Sequence, residues 1–284
     1  MNTRLQTSGE LLACALRALG SEPPSARLDA EVLLAHALGE PRSRLLGWPD
    51  DPVPADRAAR YRELIARRAD GEPVAYLTGM REFWSLSLEV TAQTLIPRPE
   101  TERLVEVALA LIANGEPLTV ADLGTGTGAV AAAIASERPA CHVIATDLCP
   151  RALAVARRNM TRLALDNVTL RRGNWCDALG GEPCAFIIAN PPYVASGDAH
   201  LARGDVRFEP RLALSAGDDG LDAIRDISES AAARMLPGAT LILEHGHDQG
   251  PAVQDLLVRR GYQTVLGYKD LGGNDRVVSG VWDS

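Results

Sequence analysis

Apolar residues at helical spacing open the chain. Leu11, Leu12, Ala15, Leu16 and Leu19 follow Thr7 and Glu10, which stand at capping-box spacing, and the run stops at Gly20; this predicts a short amphipathic helix. Arg27 to Leu38 predicts a second helix with Leu28, Val32, Ala35 and Leu38 on its buried face, and Asp56 to Ala69 a third around Tyr61, Leu64 and Ile65. The period then changes. Phe83, Leu86, Leu88 and Val90 alternate as in a strand or hairpin within residues 80–96, so a small helical domain is expected to end there. A helix resumes near Glu100, after Pro97 and Pro99, with Leu104, Val107, Ala108 and Leu111 on its buried side. From Leu118 onward short apolar runs alternate with helical stretches. Strands are predicted near 118–123, 141–146, 185–189 and 239–244, with weaker ones at 167–171, 263–268 and 276–281. Such alternation predicts an α/β domain built on a parallel sheet with crossover helices. Val194 to Gly220 has no clear period and is longer than an ordinary connection, which makes it a candidate binding loop or lid.

The totals narrow the function classes. With 284 residues, 46% hydrophobic and 23% charged, the chain has room for one full α/β domain and a smaller companion. The first apolar run is broken by Arg17 and preceded by Glu10, unlike a signal peptide, and no later window approaches an uncharged span of about 18 residues. A cytoplasmic protein without membrane association is the expectation. Cys14, Cys141, Cys149, Cys176 and Cys184 are odd in number and hold no C-x-x-C pair, which argues against a disulfide framework or a zinc site. His245 and His247 flank Gly246 near Asp248 without further ligands at a metal-like spacing, so no metal is expected. A formal charge of -8 opposes attraction to a phosphate backbone and counts against nucleic acid as a direct partner.

Two motifs carry the chemistry. After the strand ending at Leu123, the run Asp122-Leu123-Gly124-Thr125-Gly126-Thr127-Gly128 opens a helix from Ala129. Its glycines permit a sharp turn and close approach of backbone to a ligand, and the helix presents unpaired N–H groups there. The next strand ends at Asp147, where a carboxylate accepts hydrogen bonds from both ribose hydroxyls of an adenosine. Taken alone, the loop suits NAD and S-adenosylmethionine comparably, since Gly124, Gly126 and Ala129 also satisfy a looser dinucleotide pattern. The second motif decides between them. Ile187-Ile188-Ala189 delivers Asn190-Pro191-Pro192-Tyr193 to the carboxyl edge of the sheet. The prolines lack N–H donors, so the Pro191 carbonyl and the Asn190 side-chain oxygen are two acceptors for one NH2 group, with Tyr193 placed to lie on a planar substrate. That arrangement predicts methylation of a planar amide or amine nitrogen by S-adenosylmethionine, catalysed by positioning Asn190, Pro191 and Tyr193 around the nitrogen.

The two motifs together resemble class I methyltransferases acting on exocyclic or amide nitrogens. Glu72 to Gly79, Phe83-Trp84, Ile96 to Glu102, Phe208-Glu209-Pro210, Leu243 to Gly246 and Asn274 to Val277 narrow the resemblance to the release factor glutamine methyltransferase family, over nearly the whole chain. Pro97 to Thr101 is the most discriminating stretch, because the sister enzymes acting on a ribosomal protein differ after their Pro-Arg. The resemblance implies a Rossmann-like, seven-stranded mixed sheet, residues 99–284, preceded by a helical substrate-docking domain, residues 1–80, and a hairpin linker, residues 81–98. It implies, as substrate and partner, the Gly-Gly-Gln glutamine of bacterial class I peptide chain release factors, and a monomer is expected. Carried over by motif, the cofactor residues are Gly124, Thr125, Gly126, Thr127, Gly128, Asp147, Trp175 and Asn190, and the glutamine binds Asn190, Pro191, Pro192 and Tyr193. One departure stands out: Asn174 occupies a position usually held by Asp, where the adenine amino group is expected. Methylation of another protein glutamine or of a nucleic-acid base amine, a noncatalytic module of the same fold, and an NAD-dependent oxidoreductase are the alternatives.

Overall fold

The computed structural model describes residues 5–20 and 25–283. The chain divides into two compact units, Met1–Gly79 and Met80–Ser284. The first is helical: α1 (Ser8–Leu19), α2 (Ala26–Leu38), α3 (Arg42–Gly47), α4 (Ala55–Ala69) and α5 (Val74–Thr78). The capping box forms as expected, with the Thr7 hydroxyl accepting from the Glu10 N–H while the Glu10 carboxylate accepts from Thr7 N–H. Leu11, Leu33, Leu34, Tyr61 and Ile65 form the core between α1, α2 and α4. Here α2 departs from expectation: Ala30, Leu33, Leu34 and Ala37 are buried, whereas Leu28 is 47% exposed. Apolar side chains run almost around this helix, so its sequence offers two stripes. Packing chooses the one that lets the Tyr61 hydroxyl donate to the Ala30 carbonyl and Asp29 meet Arg68 at 2.8 Å inside the core.

The second unit starts with an antiparallel hairpin, β1 (Met80–Phe83) and β2 (Leu86–Glu89), followed by a 3-10 turn at Pro99–Thr101 and α6 (Glu102–Leu111). In α6 the expected residues Leu104, Val107 and Ala108 are buried, but Leu111 is exposed. The chain leaves the helix there, and Ile112 in the turn fills the core instead. There follow β3 (Thr119–Leu123), α7 (Ala129–Glu137), β4 (His142–Asp147), α8 (Pro150–Leu163), β5 (Val168–Arg172), β6 (Cys184–Ala189), α9 (Asp222–Ala231), β7 (Met235–Glu244), α10 (Gly250–Arg259), β8 (Gln263–Lys269) and β9 (Asp275–Trp282). The strands make one seven-stranded sheet in the order β5-β4-β3-β6-β7-β9-β8. Pairs from β5 to β7 are parallel, and β9 is antiparallel to both β7 and β8. This is the seven-stranded mixed sheet expected from the resemblance.

Both faces of the sheet are covered, so neighbours along each central strand enter opposite cores. Val120, Ile188 and Ile242 pack on one side with α7, buried from Ala129 to Ala135, and Ala121, Ile187 and Leu241 on the other with α9 and α10. Register places the functional residues. Leu123 pairs with Thr146 on one side and Ala189 on the other, so the segments after β3, β4 and β6 leave the sheet at one level of its carboxyl edge. Strand order reverses between β3 and β6, the crevice where open α/β sheets bind ligands.

Candidate functional site

The crevice opens into a cavity of about 310 Å³. Of the residues expected at the site, Gly124, Gly126, Asp147, Trp175, Asn190 and Pro192 line it, together with Asn174. Thr125, Thr127, Gly128, Pro191 and Tyr193 are not among its lining residues, and Thr125, Thr127 and Gly128 brace the loop instead. Thr125 donates its hydroxyl to the Asp122 carboxylate at 2.6 Å and its N–H to the Thr146 carbonyl at 2.8 Å, while the Thr127 carbonyl accepts from Asn159 Nδ2 at 2.9 Å. Gly128 caps α7 in the left-handed conformation, φ 82°, with the Met160 methyl and Ala156 packed where a side chain would start.

Asp122 is buried and receives Thr125 and the Ala131 N–H, so it braces the glycine loop from inside rather than facing a ligand. Burial pushes its carboxyl up to about 6, against those two hydrogen bonds. Asp147 closes the other end of the loop, accepting from the Gly126 N–H at 2.9 Å and the Cys149 N–H at 2.8 Å, one on each carboxylate oxygen. Desolvation raises its pKa despite them. Trp175 sits at φ 41° and lays its ring on the loop, so close that a Cβ on Gly124 would come within 3.0 Å of it. Close approach as well as backbone conformation therefore requires glycine at position 124.

The opposite wall is assembled from distant segments. Asn190 donates its Nδ2 to Thr101 Oγ1 at 2.9 Å, and the Tyr193 hydroxyl donates to Glu244 Oε1 at 3.3 Å. That Glu244 carboxylate lies at the end of β7 and is 1% exposed. The Val194 to Gly220 segment forms part of the wall through Pro210, Leu212, Ala213, Ser215 and Ala216. It is held in two ways: Arg98 forms a two-oxygen ion pair with the buried Glu209 within it at 2.7 and 2.8 Å, and Val194 at its start exchanges backbone hydrogen bonds with Leu214 and Ala216.

A model of the PrmC N-terminal domain matches residues 10–79, and a model of the methyltransferase small domain matches residues 104–205. A release factor glutamine methyltransferase of Pseudomonas aeruginosa is 54% identical over 261 residues, 92% of this chain and 94% of that protein. One from Escherichia coli K12 is 46% identical over 260 residues, 92% and 93% of the two chains. The chain belongs to the release factor glutamine methyltransferase family. A solved methyltransferase from Pyrococcus furiosus, 19% identical, covers 77% of this chain and 98% of its own at a TM-score of 0.51, a likeness of fold.

Family and fold imply an S-adenosylmethionine cofactor, and the cavity fits one. No side chain fills the space beside Gly126, the Asp147 carboxylate stands at the turn, and Trp175 forms an apolar wall. Asn174 lines the cavity as well, so its amide is within the binding wall where the family pattern expects Asp. Sequence reasoning assigned no role to Thr101, Glu244, Asp222 or Asp226, the last two of which also line the cavity. For Thr101 and Glu244 a signal existed. Both stand in stretches that carry the sequence resemblance, and a buried titratable group with a strongly shifted pKa beside a cleft is a mark of a functional site.

Among the described residues no helix is long and apolar enough to cross a membrane.

Proposed function

We propose that this chain transfers the methyl group of S-adenosylmethionine to the side-chain amide nitrogen of the glutamine in the Gly-Gly-Gln motif of bacterial class I release factors. The names and 46–54% identity of its family relatives support this reading. The observation that carries it is the arrangement of Asn190: its NH2 is taken by Thr101, so its side-chain oxygen is the group left to a ligand on the cavity wall. The Pro191 carbonyl, next along the rigid Asn190 to Tyr193 turn, supplies the second acceptor. Gly124 to Gly128, Asp147 and Trp175 hold the cofactor, whose sulfonium supplies an electrophilic methyl group when bound.

An amide nitrogen is a weak nucleophile, because its lone pair is delocalised into the carbonyl. Two acceptors on its hydrogens hold the nitrogen in line for attack and stabilise the positive charge that develops as the N–C bond forms and the C–S bond breaks. One amide proton then leaves to solvent. Acceptors for two hydrogens also select against a hydroxyl or carboxylate, by a factor on the order of 10⁴ where polar groups are left unpaired. The helical residues 1–80 serve to dock the protein substrate. Labelled S-adenosylmethionine incubated with unmodified release factor, its Gln→Ala variant in the tripeptide, and unmethylated DNA tests the reading. Label on the intact factor alone is the expected result. Label on DNA, or equal label on the variant, overturns the substrate.

A further inference from the structure

The Asn190 to Tyr193 turn cannot fasten itself. Pro191 and Pro192 carry no N–H, so neither ties its own peptide plane by donating, and proline fixes φ while leaving ψ open. What holds the two ends of the turn therefore orients the acceptors within it. Thr101 holds the first end through Asn190 Nδ2. The second end is Tyr193, whose hydroxyl donates to Glu244 and whose carbonyl accepts from Gln249 Nε2 at 3.0 Å.

Gln249 stands at the N-cap of α10, yet its side chain makes no capping bond to that helix. Its amide is used elsewhere. Oε1 accepts from the Gly246 N–H at 2.8 Å, in the turn after β7, while Nε2 donates to the Tyr193 carbonyl and, at 3.2 Å, to the Asp219 carbonyl, 56 and 30 residues away along the chain. Only one orientation of the amide satisfies all three, because a backbone N–H donates and the two carbonyls accept. Asp219 lies near the end of the Val194 to Gly220 segment and Tyr193 directly before its start, so one side chain closes the base of the segment. The neighbouring glycine fits this closure. At Gly220, φ +75°, a Cβ would lie 2.2 Å from the Tyr193 oxygen and 2.9 Å from Gln249 Nε2, so only glycine lets the segment return this close to the turn.

We propose that Gln249 is a positioning residue for methyl transfer: through the Tyr193 carbonyl it fixes the far end of the Asn190 to Tyr193 turn and ties that turn to the returning end of the Val194 to Gly220 segment. The proposal rests on the reading of that turn as the holder of the reacting nitrogen. Arg98 and Glu209 hold the middle of the segment independently, and none of the three groups bonded to Gln249 belongs to the cofactor loop. Removing the clamp therefore misplaces the acceptors while sparing the cofactor wall.

The test uses Gln249→Glu, Gln249→Met, Gly220→Ala and the combined Gln249→Met, Gly220→Ala variant of the full chain. Gln249→Glu keeps the acceptor for Gly246 and, as a carboxylate, replaces both donors with acceptors; Gln249→Met keeps the length and removes all three bonds. Three quantities are read: kcat on release factor at saturating cofactor, S-adenosylhomocysteine affinity and site count by calorimetry, and hydrogen exchange of the Val194 and Ala216 amides, which bond across the base of the segment. Counting kcat per cofactor site removes any misfolded fraction. Each single variant is expected to lose kcat on the order of 10²-fold, the effect of displacing positioned groups by about 1 Å, with cofactor affinity kept. Exchange at Val194 and Ala216 speeds up in each. The combined variant loses little more than either single one, because both break the same contact. Unchanged kcat per site in Gln249→Glu, a cofactor affinity that falls in step with kcat, or losses that multiply in the combined variant overturns the proposal. Wild-type protein that leaves release factor unlabelled overturns the substrate reading instead, while hydrogen exchange still decides the clamp.

Discussion

The cofactor wall and the substrate wall of the cavity are held in different ways. Asp122, the Gly124 to Gly128 loop and the start of α7 form one short stretch of chain, tied from outside it by Asp147, the Thr146 carbonyl and Asn159, and nearly all of their bonds involve backbone groups. The Asn190 wall draws on Thr101, Asn190, Tyr193 and Glu244, four residues from three separate segments, joined in two side-chain pairs. A backbone-braced wall recognises a ligand by shape with little freedom to reorient. A wall of hydroxyls, an amide and a carboxylate has a direction, set by who donates and who accepts, and so can carry the chemistry.

Substitutions that strike one wall and spare the other sharpen this contrast. The largest effect is expected from Asn190→Ala, which should lower kcat by about 10²–10³-fold through loss of one acceptor for the developing charge while leaving cofactor affinity in place. Steady-state kinetics beside calorimetry of S-adenosylhomocysteine checks both halves of that statement, and parallel losses in the two would erase the division between walls. Next comes Gly128→Ala. A Cβ there meets the Met160 methyl at 2.5 Å with φ at +82°, so left-handed strain adds to overpacking and should cost about 2–4 kcal/mol of stability, read as the shift in chemical unfolding. Asp147→Ala should weaken cofactor binding by about 1–3 kcal/mol, the cost of an unsatisfied polar partner, with kcat retained at saturating cofactor. The smallest is Gly126→Ala: φ is again positive at +56°, but nothing lies within 4 Å, so only strain of about 1–2 kcal/mol remains. A Gly126→Ala loss equal to that of Gly128→Ala would show that packing behind the loop contributes nothing.

Legibility followed the same division. Alternation and turn residues located all seven strands; the central ones stood out because a strand covered on both faces must be apolar, while Val168–Arg172 and Gln263–Lys269, at the two edges of the sheet and largely uncovered, gave the weaker signal. The burial face of α2 was misread for the converse reason: its apolar residues leave two stripes open, and only contacts with α4 choose between them. Leu111 was placed in the core by spacing within α6, but spacing does not say where a helix stops running over its sheet. At the site, Gly124, Gly126, Asp147 and Asn190 were recognisable because glycine spacing and strand ends announce them locally. Thr101 and Glu244 stood in recognisable stretches, yet nothing near either names its partner, Asn190 or Tyr193.

What the sequence by itself determined is therefore the local half of the protein: strands and helices from periodicity, the turn after β3 from its glycines, and the rigid acceptor pair after β6 from its prolines. These depend on backbone sterics and burial, which act between neighbours in the chain. The tertiary structure alone decided the partners of the side chains. It set β3 and β6 side by side at the switch point, tied the Val194 to Gly220 segment down by Arg98 and Glu209, and brought Thr101 to Asn190 and Glu244 to Tyr193. Hydrogen-bond direction in a buried network belongs to the set of groups that meet there, and 89 residues separate Thr101 from Asn190.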